Sequence, residues 1–233
     1  MKIALLGYGR MGQTIEKIAI DRGHEIVLKV DENTTSYDVS IADVAIEFSI
    51  PSAAVSNLTR CFEAGVPVVS GTTGWLDAYE EMTQLCKSKN TAFIYASNFS
   101  LGVNIFFELN KKLAGIMNSQ KQYTIATEEI HHTKKLDAPS GTAITLAEGI
   151  IENSDQKAWK LGAEGDTTTI PIVAKREGDV PGTHTITYNS EVDQIEIKHT
   201  AHNRQGFALG AVVAAEWLQN KKGIYKMNDV LGL

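Results

Sequence analysis

The sequence predicts an α/β protein with two domains, in which a parallel-sheet domain precedes a smaller α+β domain with a mixed or open β-sheet. Three observations lead to this prediction. A short apolar strand leads directly into a glycine-rich turn, and strands then alternate with helical patterns up to residue 101. After that residue, the pattern changes to a series of strand-like segments. The chain has 233 residues, of which 43% are hydrophobic, so it can bury a substantial core.

The first unit of the predicted sheet begins at the N-terminus. Residues 2–6 form an apolar strand, an amphipathic helix follows the turn and ends at Gly23, and residues 25–30 form a second strand that ends at Asp31. The turn itself reads GxGxxG, with the residues Gly7, Tyr8, Gly9, Arg10, Met11 and Gly12. This order of elements, with an acid about 20 residues beyond the turn, is typical of a Rossmann-like dinucleotide-binding unit. A βαβ unit without a cofactor is the alternative.

The acid at the end of the second strand bears on the choice of cofactor. Asp31 is placed to accept hydrogen bonds from ribose hydroxyls, and Glu32 beside it would repel a 2′-phosphate. These two residues favour NADH. Arg10 and Lys29 keep NADPH possible, because either cation can attract the additional phosphate.

The strand and helix pattern continues along the first hundred residues. We expect strands at residues 43–49, 66–69 and 92–95, with helices at 53–64 and 76–89. Loops rich in hydroxyl groups follow the last two strands, at the end where open α/β sheets bind ligands. Their candidate cofactor-binding residues are Gly71, Thr72, Thr73, Ser97, Asn98, Phe99 and Ser100. A flexible turn without a ligand remains the alternative for the first loop.

Residues 129–142 read EIHHTKKLDAPSGT and concentrate chemically active groups in a short segment. The apolar pattern of residues 143–151 predicts a helix that begins at the Ser-Gly-Thr turn. The exposed N–H groups of a helix N-terminus bind carboxylate or phosphate, and the adjacent imidazole and ammonium groups can supply charge or protons. The segment therefore predicts an anion site with proton transfer, unless it is an ordinary exposed loop before a capped helix.

Six segments together resemble the dihydrodipicolinate reductase family. They are GYGRMG, SGTTG, SNFSLGVN, EIHHTKKLDAPSGTA, EGDVPGTHTITY and HNRQGFALGAV, so the resemblance covers essentially the whole chain. The resemblance implies an NAD(P)H-dependent oxidoreductase that reduces 4-hydroxy-tetrahydrodipicolinate to tetrahydrodipicolinate, a step toward diaminopimelate and lysine. The implied substrate is a small dicarboxylate.

The resemblance also implies roles for individual residues. His131 matches the general acid and base, and Lys135 matches a second proton donor. The substrate carboxylate site matches His132, Ser140, Gly141 and Thr142. Residues 7–12 are implied to hold the pyrophosphate, Asp31 the ribose, and the two hydroxyl-rich loops the nicotinamide half. Thr133 and Lys134 depart from the side chains found in some members, and the short chain suggests trimmed loops in the substrate domain.

We expect the nucleotide domain to be discontinuous, with residues 1–101 and 205–233, because the apolar helix at residues 206–218 returns the chain to it. Residues 102–204 form the expected substrate-binding and oligomerisation domain. A connecting helix at 102–113 precedes four predicted strands, at residues 122–130, 170–175, 182–189 and 194–200. Residues 158–169 show no pattern that predicts an element. Edge strands suggest sheet-to-sheet association, and the resemblance implies a homotetramer.

Composition excludes several other classes of protein. A net charge of −6 argues against general binding of nucleic acid. No apolar run reaches the roughly 18 residues that span a bilayer, and Gly7 interrupts the first apolar run before it resembles a signal sequence. Cys61 and Cys86 lack metal-ligand spacing. We therefore expect a cytoplasmic protein with no metal and no membrane partner.

Two competing functions are weaker. Five histidines could serve as metal ligands in a metal-assisted hydrolase: His131, His132, His184, His199 and His202. However, the sequence contains no HExxH motif, and the dinucleotide-binding unit would have no role in such an enzyme. A regulator that senses the NADH pool would use the same fold, but the anion site would serve no purpose in it. Arg204 can contact substrate or cofactor, or pair with an acid at the domain junction.

Overall fold

A computed structural model describes residues 1–203 and 205–233 of the chain. The chain divides into two compact units. The first unit contains Met1–Leu101 and Gln205–Leu233, and the second contains Gly102–Arg204. Arg204 itself, whose role the sequence leaves open, lies outside the described residues.

The first unit contains six strands and five α-helices. The strands are β1 (Lys2–Leu6), β2 (Glu25–Val30), β3 (Val44–Glu47), β4 (Val68–Ser70), β5 (Ala92–Tyr95) and β11 (Gly223–Tyr225). The helices are α1 (Arg10–Asp21), α2 (Pro51–Glu63), α3 (Tyr79–Ser88), α6 (Gln205–Leu218) and α7 (Met227–Leu231).

These six strands form one parallel sheet in the order β11-β5-β4-β3-β1-β2. Side chains that alternate along β1 enter two separate cores: Ile3 and Leu5 pack with α1, α6 and α7, whereas Ala4 and Leu6 pack with α2 and α3. Because helices cover both faces, most side chains of the central strands are apolar and buried. Parallel strands also bring the loops that follow β1 to β5 to one edge of the sheet.

The second unit contains a mixed sheet with two helices on one face. Its elements are α4 (Leu101–Met117), β6 (Thr124–His131), α5 (Gly141–Glu152), β7 (Ala158–Leu161), β8 (Thr169–Arg176), β9 (Gly182–Asn189) and β10 (Gln194–Ala201). The strand order is β10-β9-β6-β8-β7. Strands β10, β9 and β6 pair in antiparallel fashion, and β6, β8 and β7 in parallel fashion. Phe106 on α4 and Leu146 on α5 pack against Ile172 and Ile186 of the sheet.

The predicted fold class is confirmed, and the differences lie in individual elements. Residues 158–169, for which the sequence pattern predicts no element, contain β7. Strand β11 and helix α7 were not predicted, because segments of three and five residues are too short to show a period. Helix α4 continues past residue 113 to Met117. Among the described residues, no helix combines the length and apolar character needed to cross a bilayer.

Candidate active site

The glycine-rich turn lies between β1 and α1, and its glycines have different physical roles. Gly7 has a φ of 105°, and a Cβ on it would lie 2.0 Å from the Phe48 carbonyl oxygen. A Cβ on Gly12 would lie 2.3 Å from the Gly7 carbonyl oxygen. Both positions therefore require glycine for packing within the protein. Among the residues that the structure describes, none lies within 4 Å of a Cβ built on Gly9, and no side chain caps the start of α1 there. This open N-terminus fits a pyrophosphate.

Asp31 lies at the end of β2, as the sequence predicts, and is exposed. Its Oδ1 accepts hydrogen bonds from the Asn33 backbone N–H at 3.0 Å and from the Thr34 hydroxyl at 2.8 Å. These donors, with Thr34 first, lower the pKa of Asp31 below its usual value. The carboxylate is therefore ionised at neutral pH and able to accept further hydrogen bonds from sugar hydroxyls.

Lys29, one of the two cations that keep NADPH possible, already has an acidic partner. Its Nζ lies 2.5 Å from Glu16 Oε1 and 4.9 Å from the centroid of the Tyr8 ring. The Tyr8 hydroxyl donates a hydrogen bond to the other oxygen of Glu16. Glu16 therefore balances the Lys29 charge beside the glycine-rich turn. Arg10, the second cation, is exposed on the first turn of α1.

A buried carboxylate that the sequence analysis missed organises the loops after β3 and β4. Glu47 has no exposed surface and accepts hydrogen bonds from the Ser70 hydroxyl at 2.7 Å and the Thr72 hydroxyl at 2.9 Å. The backbone N–H and the hydroxyl of Ser49 donate to the same side chain. The signal was present, because Glu47 is an acid inside an apolar strand of a sheet covered on both faces.

The remaining predicted cofactor residues divide into exposed and buried groups. Thr73 and Ser97 are exposed in the loops at the carboxyl edge of the sheet. Thr72 and Ser100 are buried, and the ring of Phe99 packs in the core, 5.6 Å from the Phe48 ring. The buried side chains therefore shape the loops, whereas Thr73 and Ser97 are exposed and Asn98 is half-buried. Gly71 is required for packing, since a Cβ there would lie 2.3 Å from the Phe48 ring.

Helix α5 in the second unit begins where the sequence predicts. Ser140 is its N-cap, and its hydroxyl oxygen accepts a hydrogen bond from the Ala143 N–H at 3.2 Å. The Ser140 N–H donates to both oxygens of Glu129 at 3.1 Å. Gly141 and Thr142 follow in the first turn, where backbone N–H groups have no carbonyl acceptor inside the helix. These two N–H groups can bind an anion, whereas Ser140 is buried and holds the turn in place.

His131 ends β6 and is 8% exposed. Its Nδ1 lies 3.4 Å from Glu129 Oε2, a distance at which no hydrogen bond is formed in this geometry. Burial lowers the pKa of His131 below its ordinary value near 6.5, Glu129 opposes this effect, and the neighbouring cations add to it. The imidazole is therefore mainly neutral at pH 7 when no anion is bound.

His184 lies on β9 and contacts His131 edge to face, with 5.1 Å between the ring centroids. The residue is 4% exposed, and burial lowers its pKa to about 3, with a further contribution from the nearby His131. His184 thus stays uncharged over the whole physiological range and does not compete with His131 for a proton.

Lys135 and His132 lie in the turn after β6. The Lys135 backbone N–H donates to the His132 carbonyl oxygen at 3.1 Å, which closes the turn. The Lys135 ammonium group is half-buried and contacts both oxygens of Asp137, at 2.9 and 2.8 Å. Lys135 lowers the pKa of Asp137, so the pair is ionic at neutral pH.

Arg176 is a second residue that the sequence analysis missed. It ends β8, directly opposite His131 in the sheet register. Two of its nitrogens lie 3.3 Å from Glu129 Oε1, and Nη2 donates to the Asp137 carbonyl oxygen at 2.5 Å. Arg176 therefore connects the buried acid to the segment that carries Lys135. The sequence did contain an indication of this residue, because it is a cation that directly follows a predicted strand.

The donor atoms of Glu129, His131 and His184 lie within 4.8 Å of one another, which is a spacing that a metal site can have. Both oxygens of Glu129 are already engaged, however, by the Ser140 N–H and by Arg176. A metal ion there would also be repelled by the Arg176 guanidinium group, which already balances the charge of Glu129. We therefore interpret this group as an anion and proton site.

Comparison with known proteins identifies the family. The model of the dihydrodipicolinate reductase N-terminus matches residues 1–99, and the model of the C-terminus matches residues 102–231. The chain belongs to the dihydrodipicolinate reductase family. Together the two family models cover nearly all of both units.

Curated relatives in the family match over the full chain. The chain is 62% identical over 234 residues to the 4-hydroxy-tetrahydrodipicolinate reductase of Christiangramia forsetii, covering 99% of this chain and 98% of the relative. It is 34% identical over 266 residues to the enzyme of the same name from Neisseria gonorrhoeae, covering 100% of this chain and 98% of that protein. The second alignment is longer than the present chain, so the Neisseria enzyme contains insertions.

Solved structures agree on the fold. Dihydrodipicolinate reductase from Paenisporosarcina sp. TG-14, determined with dipicolinate bound, superimposes with a TM-score of 0.79 at 24% identity and covers 97% of each chain. A probable dehydrogenase from Thermotoga maritima has a TM-score of 0.58 at 9% identity and covers 99% of this chain and 92% of its own.

The buried neutral His184 predicts a pH dependence of stability. In the unfolded chain its pKa is near 6.5, whereas in the folded protein it is about 3. Between these two values the unfolded state binds more protons, so stability falls as pH decreases from 6.5 and is unaffected above it. Urea unfolding at one protein concentration should show this loss, and His184→Asn should reduce its slope by up to about 1.4 kcal/mol per pH unit. An equal slope in His184→Asn and wild type would contradict the interpretation.

Proposed function

We propose that this protein reduces 4-hydroxy-tetrahydrodipicolinate to tetrahydrodipicolinate in the diaminopimelate route to lysine, with NADH or NADPH as the reductant. The reaction consumes one hydride and one proton, and the ring hydroxyl leaves as water. The observation that carries the proposal is the 62% identity over 99% of the chain to a relative named for this activity. The anion and proton site at the end of β6 and the start of α5 supplies the required chemistry.

The first unit is the proposed cofactor-binding part of the protein. The open N-terminus of α1 beside Gly9 would hold the pyrophosphate, and Asp31 the adenosine ribose. The loops that contain Thr73 and Ser97 would hold the nicotinamide half. Bound there, the reduced nicotinamide supplies the hydride.

The second unit is the proposed substrate-binding part. A substrate with two carboxylates needs donors, and the N–H groups of Gly141 and Thr142, with His132 and Lys135, provide them. The Lys135 ammonium group contacts the exposed Asp137 carboxylate, and it would exchange this partner for a substrate carboxylate on binding. A bound dianion would raise the pKa of His131, which is otherwise lowered by burial. His131 would then hold the proton that the reduced ring requires.

We also propose an oligomeric state and a cellular location for the protein. We place the protein in the cytoplasm as a homotetramer that forms through the second unit. The five-stranded sheet of this unit supports the proposal, because α4 and α5 cover one of its faces and strands β10 and β7 form its edges. Neither a nucleic acid nor a membrane is a proposed partner.

The proposed proton donors are tested by removing them one at a time. His131→Ala and Lys135→Ala should each lower kcat by about 10²-fold or more, because positioned proton transfer contributes that much to a rate. Lys134→Ala is the matched control, since Lys134 is exposed in the same segment. Steady-state kinetics on enzymatically generated substrate measures the effect. Unaltered turnover in both variants would exclude the proposed roles.

The cofactor preference is tested by releasing Lys29 from its partner. We expect wild-type protein to bind NADH more tightly than NADPH, because Asp31 is ionised and Glu16 balances the Lys29 charge. Glu16→Gln should shift this preference toward NADPH, since the Lys29 ammonium group becomes available to a phosphate. Fluorescence titration with each cofactor gives the ratio of the two dissociation constants. The double variant with Lys29→Met is the control, and a ratio that Glu16→Gln does not change would contradict the prediction.

A further inference from the structure

Glu129 is the most deeply buried acid of the second unit that makes an ion pair. Its side chain has no exposed surface. An ionised carboxylate in such a place requires several donors, because each unsatisfied oxygen would carry a large desolvation cost. The Ser140 N–H and the Arg176 guanidinium group are two such donors, and they leave one side of Oε2 facing His131.

The His131 ring has two nitrogens in different surroundings. Nδ1 is buried, forms no hydrogen bond with any residue that the structure describes and lies 3.4 Å from Glu129 Oε2. Nε2 is on the opposite side of the ring, where a Cβ on Gly182 would lie 3.1 Å away. Glycine at position 182 therefore leaves space at Nε2. Contacts of this kind are often long without substrate and shorten when it binds.

The same carboxylate also holds the turn that precedes α5. The Ser140 N–H donates to both of its oxygens, so Glu129 fixes the residue immediately before the N–H groups of Gly141 and Thr142. One side chain thus touches the general acid of the proposed reaction and the N-cap of the proposed carboxylate site.

We propose that Glu129 is a positioning residue for the reaction: it accepts from the Nδ1–H of His131, so that Nε2 faces the substrate, and through Ser140 it fixes the anion-binding turn at the required place. This inference rests on the proposed function. Arg176 is part of the arrangement, because it holds the carboxylate from the other side and contacts the carbonyl oxygen of Asp137.

The charged groups around His131 explain why the carboxylate matters for its proton. Glu129 stabilises the imidazolium form, whereas Lys135, Arg176 and His132 disfavour it, and His184 is neutral. Glu129 is thus the one group among these neighbours that favours protonation. Removing its charge must lower the pKa of His131 further, so that His131 is protonated only at lower pH.

A purely structural role predicts different behaviour. If Glu129 only balanced Arg176, its loss would lower stability and total activity without moving the pH dependence of the rate. If it positions His131, its loss changes which ring nitrogen carries the proton and moves the pH profile.

The wild-type protein gives the first test. Long-range nitrogen NMR of protein labelled with [15N]histidine distinguishes the two neutral forms of the ring, and His131→Gln identifies the signal. Above the pKa of His131, we expect the proton on Nδ1. A proton on Nε2 would overturn the proposal without reference to any Glu129 variant.

The second test compares Glu129→Gln with Glu128→Gln. Glu128 is the matched control, because it precedes Glu129 on β6, is partly exposed and pairs with Lys175 at 2.7 Å. In Glu129→Gln we expect kcat at pH 7 to fall by about 10²-fold and the alkaline limb of the kcat/KM profile to move to lower pH, with part of the rate regained in acid. Glu128→Gln should leave the profile in place. An unmoved profile in Glu129→Gln would show that the residue is only structural.

The proposed function and this inference can fail separately. If wild-type protein does not reduce the dicarboxylate substrate, the proposed function fails, and the ring signal of His131 still decides whether Glu129 accepts from Nδ1. If wild-type protein is active but the proton lies on Nε2, the function stands and the inference is overturned. If Glu129→Gln does not fold, the wild-type measurement alone decides.

Discussion

The buried negative charge of Glu129 constrains the second unit more than any other single group. A carboxylate without exposed surface must be matched by donors, and the donors are the Ser140 N–H at the N-cap of α5 and the Arg176 guanidinium group at the end of β8. The His131 ring that ends β6 lies beside the same carboxylate, at 3.4 Å. Strand β6, the start of α5 and the end of β8 therefore have to meet at one point. The chemistry of the segment after β6 depends on this meeting, because the cations and N–H groups in that segment have defined positions only when the elements that carry them are fixed.

The first unit also contains a buried acid, but the donors that satisfy it are different. Glu47 is also wholly buried, but hydroxyl groups and a backbone N–H satisfy it, and no ion pair of Glu47 is found among the described residues. Hydroxyl donors fix the loops after β3 and β4 without placing a positive charge at the edge of the sheet. The glycines then set the available space: Gly7 and Gly12 allow the chain to pack on itself, and Gly9 leaves the start of α1 open. Loop shape is thus determined by buried polar contacts, and ligand access by the absence of side chains.

The sequence predicted the fold class and the place of the glycine-rich turn, because both depend on local periodicity and on residues close together in the chain. It did not identify Glu129 or Arg176, whose partners lie on other elements. The alternation of side chains along a strand could have indicated Glu129. Glu128 and Glu129 are adjacent on β6 and point to opposite faces, so one of them must face the core. Ser140, Thr72 and Phe99 were predicted as ligand contacts from their position in motifs, and the structure buries all three. A motif shows which residues occur together, and burial shows which of their side chains are exposed.

The proposed reaction requires that a bound dicarboxylate and the His131 proton stabilise each other. Calorimetric titration of the protein with dipicolinate at pH 7.5, in buffers that differ in ionisation enthalpy, measures this coupling directly. Because burial lowers the pKa of His131 in the free protein, we predict net uptake of a fraction of a proton on binding, and loss of that uptake in His131→Gln. Binding without proton uptake, or uptake that persists unchanged in His131→Gln, would show that His131 is not coupled to the bound dicarboxylate.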